Sequence, residues 1–482
     1  MAKNFLNNDP AIKMTMVGFG QAGTRMVDTF AAIKKVDGSS IYNCLALNSN
    51  DGDLTELKYI PKNNQVSLNL GGLGKDPTKA ARVLEENEVA KEKLKAFITE
   101  RVRPDDELVL FFAGLGGGTG TSTIVKAIEE FSAFHNRPII AEELRKIAAE
   151  YPVAEIKANQ NRFKRLALEN AIDRKDFIKI GIVVTLPVRA DGPNVLKQVN
   201  DFSRQIWALA NDKTKGVAFV VFADNQHFYD EYNSLNENEK KNIVNSRDYA
   251  NQRICEIIHE LNTATTVGGT GVVLDPADFK RILLEKTGCL VINRVSKSMS
   301  EIQNAKDIQQ MFTQSIQGSS FHEPIELMQK DELGNIITSK IHHFGMLAVL
   351  DQPKGFGDSF IDDAKADIIQ QLPIRETVFN GYIVGKNNFN TSVYTFFKTE
   401  ALPTRLAKGL VEEYKEYQEK NNKFIYQQSS IASISNIDDD EEDFDFNLSD
   451  FIDLGEEKAE NSNSLDKDEE LMDFLDPEKM KF

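Results

Sequence analysis

Residues 113–123 form a glycine-rich stretch whose composition suits the binding of phosphate groups. Five of these eleven residues are glycine and four are threonine or serine. Glycine lets the backbone approach an anion closely, and the hydroxyl groups can add hydrogen-bond donors. Residues 107–112 have the pattern of a buried strand, and residues 124–131 have the apolar spacing of a helix. Because a helix that begins after such a loop directs free N–H groups at the anion, the stretch predicts a phosphate-binding loop.

Two other glycine-rich loops also stand directly before predicted helices. Residues 18–23 read G-x-G-x-x-G between a predicted strand and a predicted helix, and residues 70–77 precede another helix. For residues 70–77, a plain turn followed by a helix start explains the pattern equally well. A dinucleotide-binding protein would carry an acidic residue near the end of the second strand, whereas residues 48–51 are mostly amides. The sequence also contains no P-loop pattern G-x-x-x-x-G-K-[ST], which disfavours a P-loop NTPase.

Asp275 and Asp278 are a second group that could do chemistry. They stand three residues apart at the predicted start of a helix, so their side chains share one face. Two interpretations remain open at this point. Asp275 before Pro276 has the pattern of a helix N-cap, and Asp278 could complete a capping arrangement. Alternatively, the pair could take part in catalysis.

Strands and helices alternate along the part of the chain that carries these groups. Buried strands are predicted at 12–17, 42–47, 107–112, 177–187 and 216–222, with helices between them and a long helix over 247–262. This order predicts a doubly wound parallel sheet with a ligand across the carboxyl ends of its strands. Residues 289–400 predict a second, smaller α+β unit, and 403–427 predict a long amphipathic helix.

Composition excludes several classes of protein. The three cysteines are far apart in apolar runs, which predicts buried, reduced thiols, and no apolar run is long enough to span a membrane. Residues 431–482 carry nineteen acidic residues and four lysines, which is 15 of the 17 net negative charges. The nearly neutral remainder gives no indication of direct nucleic-acid binding. The acidic tail is predicted to be disordered, either as a solvated brush or as a segment that folds against a basic groove on a partner or on the neighbouring subunit.

Taken together, the loops resemble those of the tubulin/FtsZ superfamily of filament-forming GTPases. Residues 114–121 are similar to its signature loop, residues 20–23 to its first phosphate loop, and residues 275–278 to the synergy loop that enters the pocket of the next subunit. The Asp-Pro-x-Asp form of that loop, residues 257–262 and residues 223–225 resemble the TubZ branch of plasmid and phage tubulins most. Ser122 in place of a glycine and the acidic tail depart from the pattern.

The resemblance implies an α/β tubulin-like fold with five segments. These are a nucleotide-binding GTPase domain (1–246), a core helix with the synergy loop (247–288), an α+β activation domain (289–400), a C-terminal helix (401–430) and the disordered tail (431–482).

The resemblance also implies roles for individual residues. Asp275 and Asp278 would be catalytic, Gln21 would lie near Mg²⁺ through the phosphates, Asp191 would contact the ribose, and Asn251 the guanine with Asp224 or Asn225. The full set of implied nucleotide-binding residues is Gly20, Gln21, Ala22, Gly23, Asn48, Asn50, Gly72, Leu73, Gly74, Gly114, Gly116, Gly117, Gly118, Thr119, Gly120, Thr121, Asp191, Asp224, Asn225 and Asn251.

The function that the resemblance implies is hydrolysis of GTP to GDP at the contact between subunits of a cytoplasmic filament. Further partners to test are a DNA-binding adaptor protein or a phage component, for plasmid or phage DNA segregation. The alternatives are an FtsZ-like division protein, a tubulin-like structural protein that does not hydrolyse GTP, and, more remotely, an NAD(P)-binding oxidoreductase.

Overall fold

The computed structural model describes residues 9–74, 76–267, 271–330, 336–350, 359–384 and 390–423. Most of its strands are short apolar runs whose residues are buried on both faces, as expected for a sheet covered by helices on both sides. In these residues the strands are β1 (Met14–Phe19), β2 (Asn43–Asn48), β3 (Gln65–Ser67), β4 (Leu108–Gly114), β5 (Lys179–Leu186), β6 (Val217–Asp224), β7 (Cys289–Ser298), β8 (Met328–Lys330), β9 (Ile336–Thr338), β10 (Ile341–Leu350), β11 (Val378–Val384) and β12 (Asn390–Thr399).

Within the described ranges, ten of these strands form one sheet in the order β11-β10-β12-β7-β6-β5-β4-β1-β2-β3. The strands from β7 to β3 are all parallel, and β12 is antiparallel to both of its neighbours. The predicted doubly wound parallel sheet is therefore confirmed. The sheet also continues from β6 into β7 through one residue pair, Val220 and Cys289, which no local sequence pattern indicated.

Helices cover both faces of the sheet. The described helices are α1 (Gly20–Ala31), α2 (Asp51–Thr55), α3 (Pro77–Glu86), α4 (Glu88–Glu100), α5 (Gly118–Phe131), α6 (Arg137–Glu150), α7 (Val153–Ala158), α8 (Gln160–Ile172), α9 (Pro193–Asn211), α10 (Asn225–Ser234), α11 (Glu237–Lys240), α12 (Ser246–Ala264), α13 (Pro276–Leu284), α14 (Ala305–Gln317), α15 (Ser359–Gln371) and α16 (Leu410–Asn422). One apolar core includes residues of α1, α12 and α13, a second includes residues of α4, α5 and α9, and a third lies between α14, α15 and the strands β7, β10 and β12.

The C-terminal helix begins differently from the prediction. A π-helical segment, Arg405–Gly409, leads into α16, and Leu406 and Leu410 bury their side chains in the second core. The predicted end of this helix and the predicted disordered tail lie outside the described residues. The three cysteines are buried and free, as expected. Among the described helices, none is both long and apolar enough to cross a bilayer.

Candidate functional site

A large cleft opens at the carboxyl ends of the parallel strands. It has a volume of about 1850 Å³, and the residues that follow β1, β2, β4 and β5 line it. All three predicted glycine loops contribute to this lining. The cleft contains seventeen of the predicted nucleotide-binding residues, namely Gly20, Gln21, Ala22, Asn48, Asn50, Gly72, Leu73, Gly74, Gly114, Gly116, Gly117, Gly118, Thr119, Gly120, Asp191, Asn225 and Asn251.

Glycine is required where the loops touch one another. Gly20 has a φ of +67°, and a Cβ atom there would lie 2.6 Å from the backbone nitrogen of Gly120. A Cβ on Gly118 would lie 2.6 Å from the carbonyl oxygen of Gly74. Real Cβ atoms do not approach backbone this closely, so the glycines let three separate loops close around one space.

Three helices that start at or next to the cleft, α1, α5 and α9, leave their first N–H groups without side-chain caps. In the described structure, no side chain accepts a hydrogen bond from the first turn of α1, α5 or α9. Several other helices, α3, α4, α12 and α13 among them, are capped by an Asp or Asn side chain, and the capping residue of α12, Asn245, itself lines the cleft. Because free N–H groups and the helix dipole both attract anions, this end of the molecule is suited to phosphate groups.

Asp53 is a residue of the cleft that the sequence analysis did not single out. Its carboxylate accepts hydrogen bonds from Gln21 Nε2 (3.1 Å) and from Asn48 Nδ2 (2.9 Å). The side chain of Asn50 caps the short helix α2 by accepting from the Asp53 backbone N–H at 3.3 Å. The available signal was an Asn followed three residues later by an Asp, a helix-start pattern that places this carboxylate beside the first phosphate loop.

Amides and an ion pair line the cleft near the starts of α9, α10 and α12. Asn251 lies on α12 and Asn225 is the first residue of α10, and both line the cleft. Asp191 ends the short 3-10 turn before α9, with the guanidinium of Arg247 at 3.8 Å. Arg247 also lines the cleft and was not predicted from the sequence.

Three predicted nucleotide-binding residues do not line the cleft, and the structure gives each of them another role. Gly23 is buried where α1 crosses β4, since a Cβ there would lie 2.2 Å from the Phe112 carbonyl oxygen. The hydroxyl of Thr121 donates to the carbonyl oxygens of Gly114 (3.1 Å) and Gly117 (2.6 Å), which fixes the loop from within. Asp224 is buried and pairs with Arg405 at 2.6 Å.

Asp275 and Asp278 lie at the opposite edge of the sheet. Lys280 of α13 donates from Nζ to Glu107 Oε1 (2.6 Å), and Glu107 directly precedes β4. The helix α13 therefore lies at the amino ends of the parallel strands, whereas the cleft lies at their carboxyl ends. A strand of seven residues such as β4 spans about 20 Å, so neither carboxylate reaches the cleft of its own chain.

The capping role predicted for Asp275 is confirmed. Its carboxylate accepts a hydrogen bond from the backbone N–H of Asp278 at 2.8 Å. Asp275 is exposed and Asp278 is half-buried. Burial raises the pKa of Asp278 above its ordinary value, and the charge of Asp275 raises it further. The capping bond does not exclude a second role for this pair of carboxylates.

Lys398 of β12 holds the other end of α13 in place. Its side chain is buried, and Nζ lies within hydrogen-bonding distance of four carbonyl oxygens, those of Leu283 (2.9 Å), Ala218 (3.2 Å), Glu285 and Lys286. These carbonyl groups include the C-terminal end of α13, where side-chain donors satisfy the last carbonyl groups of a helix. Burial lowers the pKa of Lys398 well below its ordinary value. The buried amino group thus ties the helix that carries Asp278 to the sheet.

We expect Lys398→Met to lower the free energy of unfolding by about 3 kcal/mol or more, because it leaves several buried carbonyl groups without a donor. The midpoint of urea denaturation measures this loss. Lys340→Met is the matched control, since Lys340 is half-exposed and its nearest carboxylate oxygen, on Glu400, is 3.8 Å away. Equal midpoints for the two variants would contradict the assigned role.

Comparison with known proteins finds tubulin-like proteins among the relatives of this chain. No protein-family profile matches the chain. The tubulin-like protein TubZ of Bacillus thuringiensis subsp. israelensis is 24% identical over 294 residues, which is 57% of this chain and 53% of that protein. The tubulin-like protein CetZ1 of Haloferax volcanii is 30% identical over 145 residues, which is 29% of this chain and 33% of that protein. The chain thus matches between about a third and a half of the length of these curated relatives.

A solved structure extends the likeness to most of the fold. A GTPγS-form protofilament of TubZ from Bacillus thuringiensis serovar israelensis superposes with a TM-score of 0.61 at 18% identity, covering 87% of this chain and 94% of that chain. The chain therefore has the tubulin-like fold. The resemblance to the tubulin/FtsZ superfamily, with TubZ among the relatives, is confirmed.

Proposed function

We propose that this chain, which has the tubulin-like fold, binds GTP in the cleft and assembles head to tail into filaments that hydrolyse GTP where subunits meet. One observation carries the proposal, namely that the cleft and the pair Asp275 and Asp278 lie at opposite edges of one sheet. A second copy stacked in the same direction would bring these carboxylates to the open cleft. Such a contact is heterologous and repeats without closing, so it produces a filament. The protofilament of the similar TubZ in its GTPγS form supports the same arrangement.

The cleft suits each part of a guanine nucleotide. The uncapped N–H groups of α1 and α5 would bind the phosphates, and the loop at residues 72–74 would close over them. Asp191 would accept from the ribose hydroxyls. Asn251 and Asn225 would bind the guanine edge, because a side-chain amide can donate to O6 and accept from an N–H group.

The residues beside the first phosphate loop also fit Mg²⁺. Asp53 supplies a carboxylate, and Gln21 and Asn48 supply amide oxygens, all of them hard oxygen ligands of the kind that Mg²⁺ prefers. These three residues would hold the ion directly or through its water molecules, together with the phosphates. When bound, the ion would neutralise the charge on the β- and γ-phosphates. The binding of Asp53 by two amide donors fixes its carboxylate in the cleft before any ion enters.

The two aspartates would act on the water that attacks the γ-phosphate of the neighbouring subunit. A carboxylate accepts a hydrogen bond from that water and thereby orients it. Protein groups catalyse phosphoryl transfer mostly by such positioning, together with electrostatic stabilisation. The raised pKa of Asp278 makes its carboxylate a stronger proton acceptor than an ordinary aspartate. Asp275 would contribute its charge and hold the start of α13.

The alternative functions differ in what they leave unexplained. An NAD(P)-binding oxidoreductase would use residues 18–23 and leave the other two glycine loops, which line the same cleft, without a role. A structural tubulin-like protein without hydrolysis would keep the cleft and leave Asp278 as part of a helix cap. One similar solved structure is that of a TubZ of type III plasmid segregation, so we favour plasmid DNA segregation over FtsZ-like division. A phage role, a location in the cytoplasm, and an adaptor protein or phage component between filament and cargo stay predictions.

We expect the rate of GTP hydrolysis per subunit to rise steeply with protein concentration above a threshold at which polymer can be sedimented. The physical reason is that the complete site exists only where two subunits meet. Phosphate release and sedimentation, measured over the same concentration series with GTP and Mg²⁺, test this directly. A rate per subunit that stays constant while polymer forms would favour a site within one chain, and polymer without phosphate release would favour the structural alternative.

A further inference from the structure

Arg405, at the start of the C-terminal helical segment, contacts residues in and beside the wall of the cleft. Its side chain is only 3% exposed. Its Nη1 donates to Asp224 Oδ1 (2.6 Å) and to the carbonyl oxygen of Pro187 (2.7 Å). Pro187 lines the cleft and Asp224 ends β6, so one guanidinium group connects the ends of two neighbouring strands.

Glu413 and Tyr417 of α16 extend this contact to Arg189, in the 3-10 turn before α9. Glu413 accepts from Arg405 Nε (3.0 Å) and Nη2 (2.9 Å), and also from Arg189 Nε (3.0 Å). The hydroxyl of Tyr417 donates to the carbonyl oxygen of Arg189 at 2.8 Å. We call these five residues, Arg189, Asp224, Arg405, Glu413 and Tyr417, the C-terminal clamp.

The clamp acts on two segments that line the cleft. Arg189 belongs to the 3-10 turn that ends at Asp191, and its backbone N–H donates to Gln226 Oε1 (2.9 Å). Asp224 caps α10 by accepting from the Gln226 backbone N–H (2.9 Å), and this cap places Asn225 at the cleft. Both segments that would contact the nucleoside are therefore hydrogen-bonded to the clamp.

Packing alone does not explain this set of polar groups. Leu406 and Leu410 already attach the helical segment to the second core. Charged groups that are taken out of water carry a desolvation cost, and apolar side chains of similar size usually hold a helix as well or better. Through Arg405, Glu413 and Tyr417, the helical segment instead makes four hydrogen bonds to the segments of the cleft wall, as expected for groups that fix the geometry of those segments.

We propose that the C-terminal clamp positions the nucleoside-binding wall, so that nucleotide binding and the attachment of α16 to the domain are thermodynamically coupled. The inference rests on the proposed function. A nucleotide that needs the wall in its clamped position stabilises the attached helix, and loss of the clamp weakens nucleotide binding by the same factor. Arg405 and Glu413 are positioning residues in this scheme, since neither of them lines the cleft.

GDP is the probe for this coupling, because its binding to isolated subunits requires no polymer. Glu413→Gln removes the charge that faces two arginines, and we expect the dissociation constant for GDP to rise about tenfold, within the usual range for coupled sites. Tyr417→Phe removes one hydroxyl group and should raise the dissociation constant for GDP by a smaller factor. Glu416→Gln on the same helix is the matched control, because Glu416 is exposed, and its GDP affinity should equal that of the wild type.

Hydrogen exchange of α16 separates positioning from a merely structural role. In the wild type, GDP should slow amide exchange in α16, and this protection should be much smaller in Glu413→Gln and Tyr417→Phe. If Glu413→Gln fails to fold, Tyr417→Phe decides alone. Wild-type affinity in the variants, with exchange in α16 independent of GDP, would overturn the clamp. A wild-type protein that does not bind GDP would instead overturn the proposed function.

Discussion

Replacing Asp275 and Asp278 together by asparagine is expected to lower the GTP hydrolysis rate of the assembled protein on the order of 100- to 10,000-fold, the usual contribution of a positioned base. Asparagine is the sharper choice because it caps a helix as well as aspartate does, so α13 keeps its start while both charges are lost. Binding of GTP should be unchanged, since neither carboxylate lines the cleft. Phosphate release at a fixed mass of sedimented polymer measures the effect.

The control for this variant is Asp105→Asn at the same edge of the sheet. Asp105 is exposed and pairs with Lys13 at 2.8 Å, before the start of β4. Its loss should leave the hydrolysis rate within about twofold of the wild type, because surface ion pairs contribute little. A double asparagine variant that hydrolyses GTP as fast as Asp105→Asn does would contradict the catalytic assignment.

Gly20→Ala should reduce the affinity for GTP and GDP on the order of 100-fold. An alanine at a φ of +67° costs about 1–2 kcal/mol. Its Cβ would also displace the Gly120 N–H, which points from the start of α5 toward the predicted phosphate position. Since each 1.4 kcal/mol is a factor of ten, strain and displacement together account for the expected loss. Equilibrium binding of GDP to the isolated subunit measures it.

Gly318→Ala is the control for the glycine substitution. A Cβ at Gly318 would meet no atom within 4 Å, its φ is not positive, and the residue does not line the cleft. We expect unchanged nucleotide affinity. If Gly20→Ala bound GDP as tightly as this control, the close packing of the first phosphate loop on α5 would not be needed for binding.

The sequence was sufficient for the parts of the site that depend on local chemistry. Glycine loops after apolar strands indicated the cleft, because parallel strands bring their carboxyl ends to one edge. The Asp-Pro pair at 275–276 indicated a helix start, since both residues act within one turn. Asp191, Asn225 and Asn251 line the cleft as well, but they were expected there from the resemblance and not from a local pattern.

Contacts between distant residues could not be predicted from local patterns. Asp224 or Asn225 was expected at the guanine; Asn225 lines the cleft, whereas Asp224 is buried in an ion pair with Arg405, 181 residues later. Asp53 was missed because its role depends on the amides of Gln21 and Asn48 that surround it. The predicted boundary at residue 289 gave no sign that β7 would pair with β6, because only one residue pair joins the two strands.

Complementation between two inactive variants tests the central claim, a site shared by two subunits, most directly. The Asp275→Asn, Asp278→Asn variant keeps its cleft, and Gly20→Ala keeps its carboxylates. Each alone should release little phosphate. Mixed in equal amounts with GTP and Mg²⁺, they should recover a substantial fraction of the wild-type rate, because the cleft of the first variant meets the aspartates of the second. A mixture no faster than the average of its separate components, although both variants enter the same polymer, would contradict a shared site.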